Sequence, residues 1–136
     1  MTKLPTLTTD TNTNETLMHE YIRDAVAVDE TVLDEYKKSW ESGTDEDRVD
    51  EHIYKFFLIR NRCANAIADY VFGKTLARCI GSLVANDHEA ILAALTEEYD
   101  SVNSILDYME DRMSFEDMDK ISDDAFVDQF KENYDN

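Results

Sequence analysis

Three histidines, two cysteines and 31 aspartates and glutamates are the side chains from which this 136-residue chain could build a reactive centre. Each chemistry demands its own spacing. A di-metal carboxylate bundle needs Glu-x-x-His on facing helices, but His19, His52 and His88 are preceded at that distance by Thr16, Val49 and Ala85. Acids three residues apart, a spacing able to hold magnesium, include Glu116 with Asp119 and Glu132 with Asp135 near the C-terminus, matches that chance supplies in so acidic a chain. Gly43, Gly73 and Gly81 are isolated, so no glycine loop cradles phosphate, and no EF-hand, nucleophile elbow or Cys-His arrangement occurs. His52 beside Glu51 reads as a surface residue near a helix start. No catalytic residue, metal site or cofactor is expected, and the reading is of a binding protein, not an enzyme.

The carboxylates themselves carry the pattern that remains. Glu97, Asp100, Asp107, Glu110 and Asp111 recur at three-, four- and seven-residue intervals, with no Lys or Arg between Glu97 and Asp111. On a helix, neighbours three or four apart stand about 5–6 Å from each other and like charges repel. Glu97, Asp100, Asp107 and Asp111 fall opposite Val102 and Leu106 and are expected to face solvent, with Glu98 and Glu110 at their flanks. Glu116, Asp117, Asp119, Asp123, Asp124 and Asp128 extend the acidic series. In duplex DNA each strand sets a phosphate about every 3.4 Å along the axis, so a carboxylate row is a rough imitation of alternate phosphates.

The elements that position these acids follow from periodicity. Residues 1–14 show none and read as a flexible arm, leaving 15–136 as a single helical domain. Leu17, Met18, Tyr21, Ile22, Ala25 and Val28 mark one face of a first helix. Thr31 to Asp34 matches a capping box, Gly43 a helix stop, and Thr44 to Asp47 a further cap. From Ile53 to Val84 the chain is apolar on nearly every face, which predicts a central helix wrapped by others and broken near Gly73 or Gly81. Asn86 or Asp87 caps the next helix. There Leu92, Leu95, Tyr99, Val102, Leu106, Met109 and Met113 form a heptad seam, suited to bundle packing and, failing that, to homodimerisation. Ser114 with Asp117, and Ser122, start two short helices. The predicted fold is all-α, a compact bundle of five or six helices around the central apolar one.

Net charge at pH 7 is -18, from 31 acids against 13 bases. By segment it runs -5 over 1–42, -3 over 43–55, +3 over 56–82, -7 over 83–113 and -6 over 114–136. The acid is therefore concentrated in the last third, while the apolar central run is the only basic part. Such a charge opposes the compact state and disfavours direct contact with nucleic acid or an anionic membrane. Cys63 and Cys79 lie in apolar sequence and read as reduced core residues. The N-terminus has no apolar leader and no stretch of about 18 apolar residues occurs, so cytoplasmic residence is expected.

In size, helicity and carboxylate excess, most evident from Glu97 to Asp135, the chain resembles the acidic helical DNA-mimic inhibitors made by bacteriophages. The resemblance implies an inhibitor, of anti-restriction, anti-CRISPR or host-takeover type, whose partner is a basic nucleic-acid-binding protein. Two other classes fit the same composition. An immunity protein or antitoxin would concentrate binding in a few hot spots, with Tyr99 and Tyr108 as packing or interface residues. An assembly adaptor would use the Leu92 to Met113 seam.

Overall fold

The computed structural model describes residues 3–41 and 48–136, and of 48–50 the backbone alone. The helix stop expected at Gly43 and the cap expected at Thr44 to Asp47 lie outside the described residues. Seven helical segments follow one another: α1 (Thr11–Val26), α2 (Glu30–Glu41), α3 (Arg48–Arg62), α4 (Ala64–Val84), α5 (His88–Arg112), α6 (Phe115–Lys120) and α7 (Asp123–Asp135). No strand occurs among the described residues. α3 and α4 adjoin at Cys63, so the described residues form six helical units and the all-α bundle is the observed fold.

The helix starts show which local signals prevail. Asp10 caps α1 by accepting from the Asn12 amide, so the helix begins at Thr11, ahead of the start that apolar periodicity marks. The preceding segment is tied down rather than free. Asn14 is buried, its Oδ1 accepting from the Thr8 amide at 2.8 Å and its Nδ2 donating to the Thr8 carbonyl at 2.9 Å. His88 Nε2 contacts that same carbonyl at 2.9 Å and Leu7 packs on the core.

α2 is capped by Asp29, not Thr31, because the Asp29 carboxylate accepts from the Thr31 amide at 2.8 Å while its carbonyl accepts from Leu33. The expected caps at Asp87, Ser114 and Ser122 are all made, the second as a reciprocal box with Asp117. Asn86, at φ 55°, closes α4, and the Asp87 amide reaches back to the Ser82 carbonyl, as in a Schellman ending.

The long apolar run breaks at Cys63 (φ -94°, ψ 1°), not at a glycine. Gly73 and Gly81 lie within the uninterrupted α4, where a glycine's cost in helix propensity, about 1 kcal/mol, is borne by packing of the opposite face. That face, with Ile67, Ala68, Val71 and Leu83 fully buried, meets α1, α3, α5 and α7, which makes α4 the hub. The outer face is not wrapped: Ile80 and Val84 are 50% and 70% exposed. α2 packs chiefly on α3, through Tyr36 edge-on to Phe57 at 5.5 Å.

The seam of α5 lies in the domain's own core. Leu95, Val102 and Leu106 are fully buried and Met109 and Met113 nearly so, with Ile91 joining them; Leu92 and Tyr99 are only partly buried. Arg60 of α3 is also buried. It donates to the Val26 and Ala25 carbonyls at 3.0 and 3.2 Å, satisfying the open end of α1 with a cation at the negative pole of the helix.

Candidate functional site

α5 holds its seam inward, and the same rotation sets the acids outward. Glu97, Asp100, Asp107 and Asp111 are exposed and make no ion pair among the described residues. At 100° per residue they share a stripe less than a quarter-turn wide. At 1.5 Å per residue the stripe runs about 21 Å along the helix. Tyr108 rises along its edge, 46% exposed, with the Arg112 guanidinium 4.3 Å over its ring.

Two acids assigned to the flanks of this row depart from it. Glu98 is buried, 3% exposed, where it accepts from Tyr134 Oη at 2.8 Å and is gripped by Arg78. It had been expected at the edge because charge alone puts a glutamate in water; the partners on α4 and α7 are nonlocal and leave no trace near position 98. Glu110 is half-buried beside His52, whose Nε2 lies 3.2 Å from the Glu110 carbonyl. Burial raises the Glu110 carboxyl above the usual range, helped by Asp107 and Asp111 and opposed by His52 and Arg60.

The C-terminal acids divide by role. Asp117 closes the capping box, accepting from the Ser114 amide at 3.2 Å. Asp119 meets Lys55 at 3.1 Å and Asp123 meets Arg62 at 3.1 Å, so both turn toward α3. The acid pairs with magnesium-type spacing are likewise engaged, Asp119 by Lys55 and Asp135 by the Tyr70 hydroxyl. Among the described residues no three His, Cys, Asp or Glu side chains converge as metal ligands.

Glu116, Asp124 and Asp128 are exposed and make no ion pair among the described residues. On α7 the last two are continued by the exposed Glu132, giving a second outward row at successive four-residue steps. Glu132, which the sequence marks only as a partner of Asp135, is legible as part of this row from its four-residue spacing. The structure thus sets Glu97, Asp100, Asp107 and Asp111 on one outer face and Asp124 and Asp128 on another. It engages Asp117, Asp119 and Asp123 in local contacts and leaves Glu110 half-buried.

The remaining groups are inert by burial. Cys63 is 1% exposed and its thiol is pushed up to about 11, chiefly by desolvation and further by Asp123. No described helix is long and apolar enough to cross a membrane. No protein-family model, curated protein or solved structure matches the chain.

Proposed function

We propose that this protein binds the nucleic-acid groove of a basic protein through its outward carboxylates and blocks that groove by mimicking DNA. The target class is a nuclease, restriction enzyme, CRISPR effector, polymerase or nucleoid protein. The observation that carries the reading is the α5 row: Glu97, Asp100, Asp107 and Asp111 are exposed and form no ion pair among the described residues, while Lys55, Arg62 and Arg78 pair with other carboxylates. Unrelieved like charges on a helix cost a few tenths of a kcal/mol per pair, about 0.2–0.5. A partner groove lined by Arg and Lys would relieve that repulsion and release counterions as it does on DNA.

The test is capture from a bacterial lysate on the immobilised protein, with a salt gradient and a parallel elution by duplex DNA. A nucleic-acid-binding protein that is released by salt and displaced by DNA supports mimicry. A retained protein that resists both, or no retained protein, overturns it.

A second reading, neutralisation of one protein in the manner of an immunity protein, is favoured by Tyr108. An exposed tyrosine stacked by an arginine, at the edge of an acidic face, has the composition of an interface hot spot. Tyr108→Ala would then abolish binding that Asp107→Asn with Asp111→Asn leaves nearly intact. Mimicry predicts the reverse order.

A further inference from the structure

Beside the α5 row, α5, α6 and α7 enclose an open groove of about 330 Å³. Its walls include Tyr108, Arg112, Lys120 and Asn133, and Met113 lies in its floor. In a chain with 31 acids and 13 bases a cation has carboxylates to choose from. Lys55 takes Glu51 and Asp119, Arg62 takes Asp123, and Arg78 takes Glu98. Arg112 and Lys120 make no ion pair among the described residues, as is true also of Arg23, Lys74 and Lys131, but these two line one and the same groove. The one carboxylate in the wall, Asp117, is bound to the Ser114 amide. The Arg112 guanidinium sits 4.3 Å over the Tyr108 ring, a contact that uses its π face, and a guanidinium's N–H fork can take a carboxylate through two parallel bonds.

We infer that this groove receives an aspartate or glutamate side chain that the partner presents inside its own basic surface. The inference rests on the proposed mimicry and specifies its partner. A free small anion would have to approach against the field of a molecule of net charge -18, whereas a carboxylate carried by a basic surface is drawn in with it. Basic grooves that hold carboxylates are typical of metal-dependent phosphoryl-transfer sites, where acidic side chains gather divalent ions beside the nucleic-acid backbone. There Arg112 and Lys120 would meet the carboxylates from which DNA alone, without metal, is repelled.

The experiment uses the full chain and two synthetic probes, an arginine-rich peptide with a central glycine and its twin with a central glutamate. Binding is measured by calorimetry at low salt, together with amide NMR spectra of the labelled protein. The glutamate peptide is expected to bind at least as tightly as its more basic twin and to shift the Asn133 side-chain amide. In Arg112→Gln with Lys120→Gln, two exposed changes that make the protein still more acidic, the glycine peptide should bind more tightly. The glutamate peptide should lose about tenfold, the effect of one charge-assisted hydrogen-bonded contact. A glutamate peptide weaker than its twin, with the variant tightening both, overturns the inference and leaves mimicry standing. No binding of either peptide overturns both.

Discussion

Tyr134 donates its hydroxyl to Oε2 of Glu98 across 2.8 Å, and Arg78 holds the other oxygen, so one buried carboxylate of α5 joins α4 and α7. Tyr134 lies in the last turns of α7, stacked on Phe130 at 5.9 Å, and its own pKa is raised, first by burial. The contact fixes how α7, and with it Asp124, Asp128 and Glu132, is turned.

Tyr134→Phe keeps the ring and removes the donor to a buried charge. Hydrogen bonds to charged groups contribute about 1.5–3 kcal/mol, so a loss within that range is expected in urea unfolding followed by circular dichroism. Glu98→Ala is expected to cost at least as much, because it also leaves a void and removes the acceptor from Arg78.

Leu106 tests where the seam belongs. It is fully buried in the domain core, so Leu106→Ala should cost about 2–5 kcal/mol. Leu106→Glu should abolish the helical signal rather than yield a helical monomer, which sedimentation together with circular dichroism would distinguish.

Cys63 is expected to resist chemistry in the folded chain. With its thiol pushed up to about 11 and 1% exposed, iodoacetamide at pH 8 should leave it unmodified until urea is added, as read by mass mapping of its peptide. The raised pKa also fixes a sign for stability. The folded state keeps the proton longer than the unfolded one, so this contribution is present below about pH 9 and fades as pH rises toward 11.

Glu110 gives the same sign in a lower range. Burial raises its carboxyl, so ionisation above the usual carboxylate range opposes the fold. Glu110→Gln should raise the urea midpoint at pH 7, and the gain should vanish in acid, where the native glutamate is itself protonated.

The parts of the architecture that depend on near neighbours were legible in the chain. Ser114 with Asp117, Ser122 and Asp87 act through bonds two to four residues long, and the Leu95, Val102, Leu106 spacing turns α5 by helix geometry alone. That rotation also placed Glu97, Asp100, Asp107 and Asp111 outward. What the chain did not disclose depends on contacts far along the sequence. Glu98 goes inward because Arg78 and Tyr134 wait there, and Asp119 and Asp123 turn to Lys55 and Arg62. Gly73 and Gly81 suggest a break because local propensity disfavours them, yet packing of the inner face of α4 against four other helices outweighs a cost of about 1 kcal/mol each.

The most direct measurement compares the protein with a variant in which Glu97, Asp100, Asp107 and Asp111 are all replaced by their amides, both in the capture experiment with a salt gradient. Losing four phosphate-like charges should flatten the slope of log affinity against log salt by up to about 3.6, taking about 0.9 per charge as on duplex DNA, and release the partner at far lower salt. Any one of the four substitutions alone should move it little, since exposed charge pairs contribute under about 1 kcal/mol. Release of wild type and quadruple variant at the same salt would show that the α5 row is only a solvated helix face.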